Sequence, residues 1–592
     1  MQQLSALDAL FLYLETPETP MHVGSLILLQ KPKGHRGSFY PNLRRHIESR
    51  IPFAPLLSRK LAFMPLSLAN PIWVDDDNID LDWHIRSHTL PKPGTRAQLE
   101  AAVAKLHEPM LDRDRPLWQF TVIEGLQNGE IALTSRLHHA GMDGQAGVAL
   151  SQALLDIEAN PPPRAAAEKA KKSQSLTATG MLTSALRNSA AQYGKILKAG
   201  SSALMSAASS VLSSSEAKKI GAPSEQLSGM ANLSKLAGNI SSIKSSDTPL
   251  QAAKKMLPVG IKLGPRTPLN VAIGARRSFT TARIPLAEAK GIGKYFGVTL
   301  NDVVLATVSG ALRRYYAKDK AILAKAMVGA VPASLRAAGD TTANNQVTMM
   351  LINMATNITD PLKRLLAIRD ASTAAKALTG SMKGAMSTMT TDLPTLGIPW
   401  LMSVLTPLYK SAVSTNRIPV IANVLISNVP GPPVPLFMTG ARMTENYPVS
   451  IVTHGMALNL TIHSYDGSLD YGLIAAKDEV PRLGEFVKHL YAAHQELLAL
   501  LKAGLSKTAA AEITPTTPVK AVNTAKKVTA KKPTAKKMIA KKPAAKVKAK
   551  GSTAKKPTAK KPAAKKPATK KLSAKKPGAK KIITKSTAKK RG

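Results

Sequence analysis

Apolar and polar positions along this chain follow two periods, and both occur in each half of it. Ile131-Ala132-Leu133-Thr134-Ser135 is an apolar, strand-prone run, so Ile131–Leu137 predicts a strand. Ala422–Ser427 and Ala457–His463 read the same way. Leu300–Tyr316 and Arg482–Lys502 carry helical spacing, and Gln145–Ile157 predicts an amphipathic helix. The mixture predicts an α/β protein rather than an all-helical or all-β one. A membrane-crossing helix needs about 18 or more consecutive apolar residues, and no such uninterrupted run occurs. The nearest approach, Leu393–Val413, is broken by Pro394, Pro399 and Pro407 and charged at Lys410. It reads either as an interfacial segment around Trp400, Leu401 and Tyr409 or as a buried, proline-interrupted helix.

Two stretches carry neither period clearly. From about Asn160 to Asp247 the chain is rich in Ala, Ser and Lys and opens with Pro161-Pro162-Pro163-Arg164. Apolar residues recur at near-helical spacing between Met181 and Leu212, so this zone reads as a partly helical linker or a lipid-surface segment. From Pro518 to the end there are 27 lysines, one arginine and no acidic or aromatic residue, so 28 of the net +45 charges sit in this tail. Units such as Ala540-Lys541-Lys542-Pro543 and Ala574-Lys575-Lys576-Pro577 repeat there. Recurring proline blocks a continuous helix and like charges repel, so the tail is expected to be disordered. What is left is two blocks, each long enough for its own core. The expected organisation is 1–160, a linker over 161–249, 250–505, and a basic tail over 506–592.

Composition removes several chemistries. The 592 residues include no cysteine, which excludes disulfides, zinc–thiolate sites and a cysteine nucleophile. Met1-Gln2-Gln3-Leu4 lacks a basic and an apolar signal region, so no secretory signal is expected. His84, His88 and His107 lack a tight metal-ligand spacing with acidic partners, and no metal is expected. Gly291-Ile292-Gly293-Lys294-Tyr295-Phe296-Gly297 has its third glycine misplaced for a dinucleotide loop.

The segment richest in chemistry is Arg136-Leu137-His138-His139-Ala140-Gly141-Met142-Asp143-Gly144. Adjacent side chains on a strand point to opposite faces, so only one imidazole can face a given cleft. That makes the pair a poor chelate and a reasonable way to present one base. Asp143, near the start of the following helix, reads either as part of a functional turn or simply as a helix cap.

With its companions the segment resembles the bacterial wax ester synthase / acyl-CoA:diacylglycerol acyltransferase family, whose signature is His-His-x-x-x-Asp-Gly. The opening Leu4-Ser5-Ala6-Leu7-Asp8 to Phe11, Glu15-Thr16 and Pro20-Met21-His22-Val23-Gly24 is similar to the family's start. Pro116-Leu117-Trp118, Asn301-Asp302-Val303-Val304-Leu305-Ala306 and Ser427-Asn428-Val429-Pro430-Gly431-Pro432 match further blocks in the family's order. The resemblance spans about residues 4 to 480 and stops before the tail. It implies the fold of coenzyme-A-dependent acyltransferases of the chloramphenicol acetyltransferase type, in which two similar sandwich domains meet at a channel holding the active site.

The reaction so implied joins an alcohol to the acyl group of a thioester. A hydroxyl is a poor nucleophile at pH 7, so a base within hydrogen-bond reach takes its proton. His139, the second histidine, is assigned that role, with His138 supporting it and Asp143 holding the turn. Neither a metal nor an acyl-enzyme is required, no Gly-x-Ser-x-Gly elbow is present to supply a serine nucleophile, and no cofactor is expected. Asn301 and Asn428 are candidate oxyanion or substrate donors. Gly144, Pro116, Leu117, Trp118 and Asp302 are expected to be structural. Acyl-CoA and diacylglycerol or a fatty alcohol are the expected substrates. The tail suits an anionic membrane or lipid-droplet surface, or non-specific DNA contact. The implied setting is cytoplasmic and membrane-peripheral. Two other classes stay open: a non-lipid acyltransferase or condensation-type enzyme, and a DNA-binding protein whose tail is its function.

Overall fold

The computed structural model describes residues 2–142, 144–164, 263–334, 347–391, 398–415 and 419–513. The linker beyond Arg164 and the basic tail lie outside these residues. In chain order the strands are β1 (Gln2–Gln3), β2 (His22–Gln30), β3 (Arg59–Ala62), β4 (Ile72–Asp75), β5 (Ile85–Thr89), β6 (Trp118–Glu124), β7 (Ile131–His138) and β8 (Arg277–Pro285). They continue with β9 (Val328–Ser334), β10 (Val347–Asn353), β11 (Val424–Val429), β12 (Phe437–Met438), β13 (Ala441–Val449), β14 (Leu458–Tyr465) and β15 (Ser468–Ala476).

These strands form two six-stranded mixed sheets, ordered β12-β13-β2-β7-β6-β5 and β10-β9-β11-β14-β15-β8, plus a small β1-β4-β3 sheet. Helices pack on the large sheets, as the α/β expectation required. The expected strands at 131, 422 and 457 appear as β7, β11 and β14, and the expected helices as Gly144–Leu154, Leu300–Tyr315 and Leu483–Ile513. All eight residues of β7 are buried, which is why its sequence reads as a nearly continuous apolar run.

The first sheet draws on both halves of the chain. β13 pairs antiparallel with β2, with Val449 opposite Gly24 and Arg442 opposite Gln30. A block boundary drawn from chain order alone therefore does not give this sheet's membership. The two sheets come into close backbone contact where β13 passes β15. A Cβ on Gly472 would lie 1.7 Å from Pro448 O, so only glycine permits this backbone contact. Beside it Asp470 accepts from the Asn446 amide at 2.9 Å and faces Arg283 Nε at 3.2 Å. Burial pushes the Asp470 carboxyl up to about 6.

The described part of the Leu393–Val413 stretch lies in the helix Ile398–Ser414, with Pro407 inside it. Thr406 donates to Tyr13 O, Lys410 pairs with Glu18 at 2.8 Å, and Tyr409 donates to His454 O. Among the described residues no single helix is long and apolar enough to cross a membrane.

Candidate active site

β7 delivers the histidine pair to the end of the first sheet, and the chain then turns through Gly141 into the helix Gly144–Leu154. Two backbone bonds fix the exit: His138 N–H donates to Leu117 O at 3.0 Å, and His139 N–H donates to Met21 O at 2.8 Å. The rings then take different surroundings. His138 is 1% exposed, whereas His139 is half-buried. The His139 ring stacks on Phe11, with centroids 4.0 Å apart and planes 11° apart. Burial, against an opposing backbone hydrogen bond and with a smaller contribution from neighbouring His138, brings its pKa down to about 4. At neutral pH His139 therefore carries a free base form rather than a charge.

His138 is turned inward. Its Nδ1 accepts the Ala140 N–H at 3.1 Å. A backbone amide can only donate, so the ring proton sits on Nε2, which lies 3.4 Å from Glu15 Oε2. The same oxygen accepts from Arg113 Nη2 at 2.9 Å, and Oε1 accepts the Met21 N–H at 3.0 Å. Burial raises the Glu15 carboxyl, but His138, the Met21 amide and Arg113 outweigh it and hold the group below its ordinary value.

Behind the pair lies a further layer of neutral imidazoles. His22 stands opposite His138 in the β2–β7 register and donates from Nε2 to His107 O at 2.9 Å. His107 in turn donates to Ser450 O at 3.2 Å, which ties this layer to the segment just after β13. Burial holds both rings low, His107 at about 3. His84, His88 and His107 carry no metal-ligand spacing along the chain. In the structure His84 stacks on Trp118 at 4.2 Å.

Pro116-Leu117-Trp118 is the neighbouring strand start. Leu117 supplies the carbonyl that holds His138, and Trp118 is 0% exposed and donates from Nε1 to Leu57 O at 2.8 Å. Arg136, also on β7, is buried and donates to Pro109 O and Gln119 Oε1. Asp143 lies outside the described residues. Gly144 begins the helix after the turn.

The other singled-out positions sit elsewhere. Asn301 occupies the first turn of Leu300–Tyr315, whose packing partners are the helices Leu286–Phe296, Pro361–Thr391 and Leu483–Ile513. Asp302 closes a capping box there, accepting from Thr299 N at 2.9 Å and Thr299 Oγ1 at 2.7 Å. Asn428 lies on β11 opposite Ile462, half-buried, before the Pro430–Pro433 loop. Neither asparagine belongs to the group just described around the histidines. Sequence reasoning gave no role to Glu15, Phe11, His22, His107 or Arg113. The one local signal was an acid ending the apolar helix Ala6–Leu14, where a buried carboxylate calls for a partner.

The family described as the wax ester synthase/diacylglycerol acyltransferase catalytic domain matches residues 4–304, and its C-terminal domain matches residues 343–498. The chain belongs to the wax ester synthase/diacylglycerol acyltransferase family. A Mycobacterium tuberculosis relative named as a diacylglycerol O-acyltransferase is 34% identical over 505 residues, covering 83% of this chain and 99% of its own. The O-acyltransferase WSD of Acinetobacter baylyi is 31% identical over 503 residues, covering 83% of this chain and 95% of its own. The wax ester synthase/diacylglycerol acyltransferase of Marinobacter aquaeolei shares the fold, with a TM-score of 0.57 at 24% identity over 85% of this chain and all of that one. This member of the acyltransferase family thus has the two-sheet fold that its sequence resemblance implied.

Proposed function

We propose that this acyltransferase moves a fatty acyl group from acyl-CoA to the hydroxyl of diacylglycerol or of a long-chain alcohol, with His139 as the proton acceptor. One observation carries the reading: at the end of β7 the two imidazoles divide, one buried on a carboxylate and the other half-buried and uncharged. The acceptor hydroxyl gives its proton to His139 as its oxygen attacks the thioester carbonyl. The tetrahedral species collapses, the carbon–sulfur bond breaks, and coenzyme A leaves as a thiol with the proton returned from His139. No acyl-enzyme intervenes. The negative oxygen needs a donor, and Asn301 or Asn428 is the candidate. Asp143 holds the turn. The names of the relatives and of the matching family support diacylglycerol as acceptor and wax ester as product.

The basic tail adds a location. Its 28 positive charges suit the surface of an anionic membrane or lipid droplet, where water-insoluble acceptors and products reside. DNA contact would be non-specific and steeply salt-dependent.

The test is product analysis by thin-layer chromatography with purified full chain, acyl-CoA and either diacylglycerol or hexadecanol. Triacylglycerol or wax ester is expected. Amide formation with an amine acceptor and no ester with either alcohol would overturn the reading. Liposome sedimentation with and without residues 518–592 tests the location. Equal sedimentation of both forms with anionic vesicles would end that idea, and a gel shift confined to the full chain would favour DNA.

A further inference from the structure

We infer that Glu15 is a positioning residue for the histidine pair: it fixes the His138 tautomer and, through Met21, the backbone that presents His139. The inference rests on the acyl-transfer reading for what the pair does, but not for how the pair is held.

Glu15 reaches both histidines by separate routes. Its Oε2 faces His138 Nε2 at 3.4 Å, while Ala140 N–H occupies Nδ1 at 3.1 Å. The inward ring is therefore hydrogen-bonded at Nδ1 and faced by a carboxylate oxygen at Nε2, and both contacts favour the same tautomer. Its Oε1 takes the Met21 N–H at 3.0 Å, and the Met21 carbonyl takes the His139 N–H at 2.8 Å. Residues 15, 21, 138, 139 and 140 thus form a closed circuit around one side chain. Arg113 anchors it, since Nη2 binds both Glu15 Oε2 and Leu12 O. The Glu15 side chain is fully buried.

Every group that meets the two oxygens is a donor: an amide N–H, a guanidinium and the imidazole Nε2–H. A carboxylate can accept from all of them. A carboxamide of the same size must turn its NH₂ toward at least one of them. If the His138 ring answers by moving its proton to Nδ1, that N–H meets the Ala140 N–H and the turn below His139 opens. The groups involved never touch the reacting atoms, so the effect falls on presentation of the base rather than on substrate binding.

The experiment compares Glu15→Gln and Glu15→Asp in the full chain, with steady-state kinetics and ¹⁵N NMR of histidine-labelled protein, His138 being assigned by its loss in His138→Gln. In the unsubstituted enzyme His138 is expected to carry its proton on Nε2. Glu15→Gln should lower kcat by about 10–100-fold, the range seen when a partner that orients a metal-bound imidazole is removed, with KM for acyl-CoA nearly unchanged and the His138 proton moved toward Nδ1. Glu15→Asp keeps an acceptor-only carboxylate and should retain the Nε2–H form and more of kcat than Glu15→Gln. An Nδ1–H form of His138 in the unsubstituted enzyme overturns the proposal, as does an unchanged kcat in Glu15→Gln. Equal losses in both variants with the Nε2–H form intact also overturn it. If Glu15→Gln does not fold, the tautomer of the unsubstituted enzyme and the Glu15→Asp kinetics still decide. An enzyme that makes no ester would sink the acyl-transfer reading alone, because the tautomer is read without turnover.

Discussion

The turn at His138–Gly141 and the helix start at Thr299–Asp302 are both short polar signals set beside apolar runs, and they are satisfied in opposite ways. At Thr299–Asp302 the polar groups bond one another within three residues, as a capping box does. At the histidines nearly every partner is distant in sequence: Glu15, Met21 and Phe11 lie more than a hundred positions earlier, and Leu117 comes from the adjacent strand. A locally closed polar group has done its work once its helix starts. A polar group held by remote carboxylate, ring and carbonyl contacts is fixed in space by the whole fold, which is what a reacting group requires.

Three measurements would break or sharpen that contrast. The largest effect is expected from His139→Ala, which should cost about 10²–10⁴ in turnover, as removal of a general base does, while the melting temperature stays near that of the unsubstituted enzyme. His138→Ala should cost less turnover and more stability, because that ring is the buried one. The reverse ranking would exchange the two roles.

A smaller effect concerns pH. The His139 pKa sits at about 4, so its basic form is present at all higher pH and is lost only as pH falls through that value. An ordinary imidazole, with a pKa of about 6.5, would lose roughly tenfold in rate by pH 5.5. For this enzyme kcat/KM should be level within about twofold from pH 7.5 to 5.5. An acid limb centred near 6.5 would mean that a solvated imidazole, not the one stacked on Phe11, accepts the proton.

The smallest effect is expected at the other region. Thr299→Ala removes the cap of Leu300–Tyr315 and should lower stability by about 0.5–2 kcal/mol, read as a fall in melting temperature, with activity per folded molecule unchanged. A loss of kcat without a fall in melting temperature would bring Asn301 into the reaction.

The same contrast explains what the sequence disclosed. β7, β11 and β14 were legible because their apolar periods are local, and Leu300–Tyr315 because its cap and its apolar spacing lie within one stretch. The histidine pair was legible as a motif; its two rings take different surroundings, but His139 lies just past the end of β7, so strand alternation does not by itself account for the difference. The carboxylate behind the pair was not legible. The local signal, an acid ending the apolar helix Ala6–Leu14, does not say which partner Glu15 takes, and its role arises only when β2 and β7 pair. β13 was missed as a partner of β2 for the same physical reason, since strand pairing between distant segments leaves no trace in either segment's period.

That pairing also sets a clock. Val449 lies opposite Gly24, 425 positions later in the chain. At about 5–20 residues per second, a ribosome needs about 20–85 s to supply the second strand after the first. Throughout that interval β2, an apolar run from His22 to Gln30, has an unpaired edge of the kind that captures other chains. The sheet that carries the histidines is thus completed only after Val449 has been made, and any delay or premature stop before it prolongs the exposure of that edge.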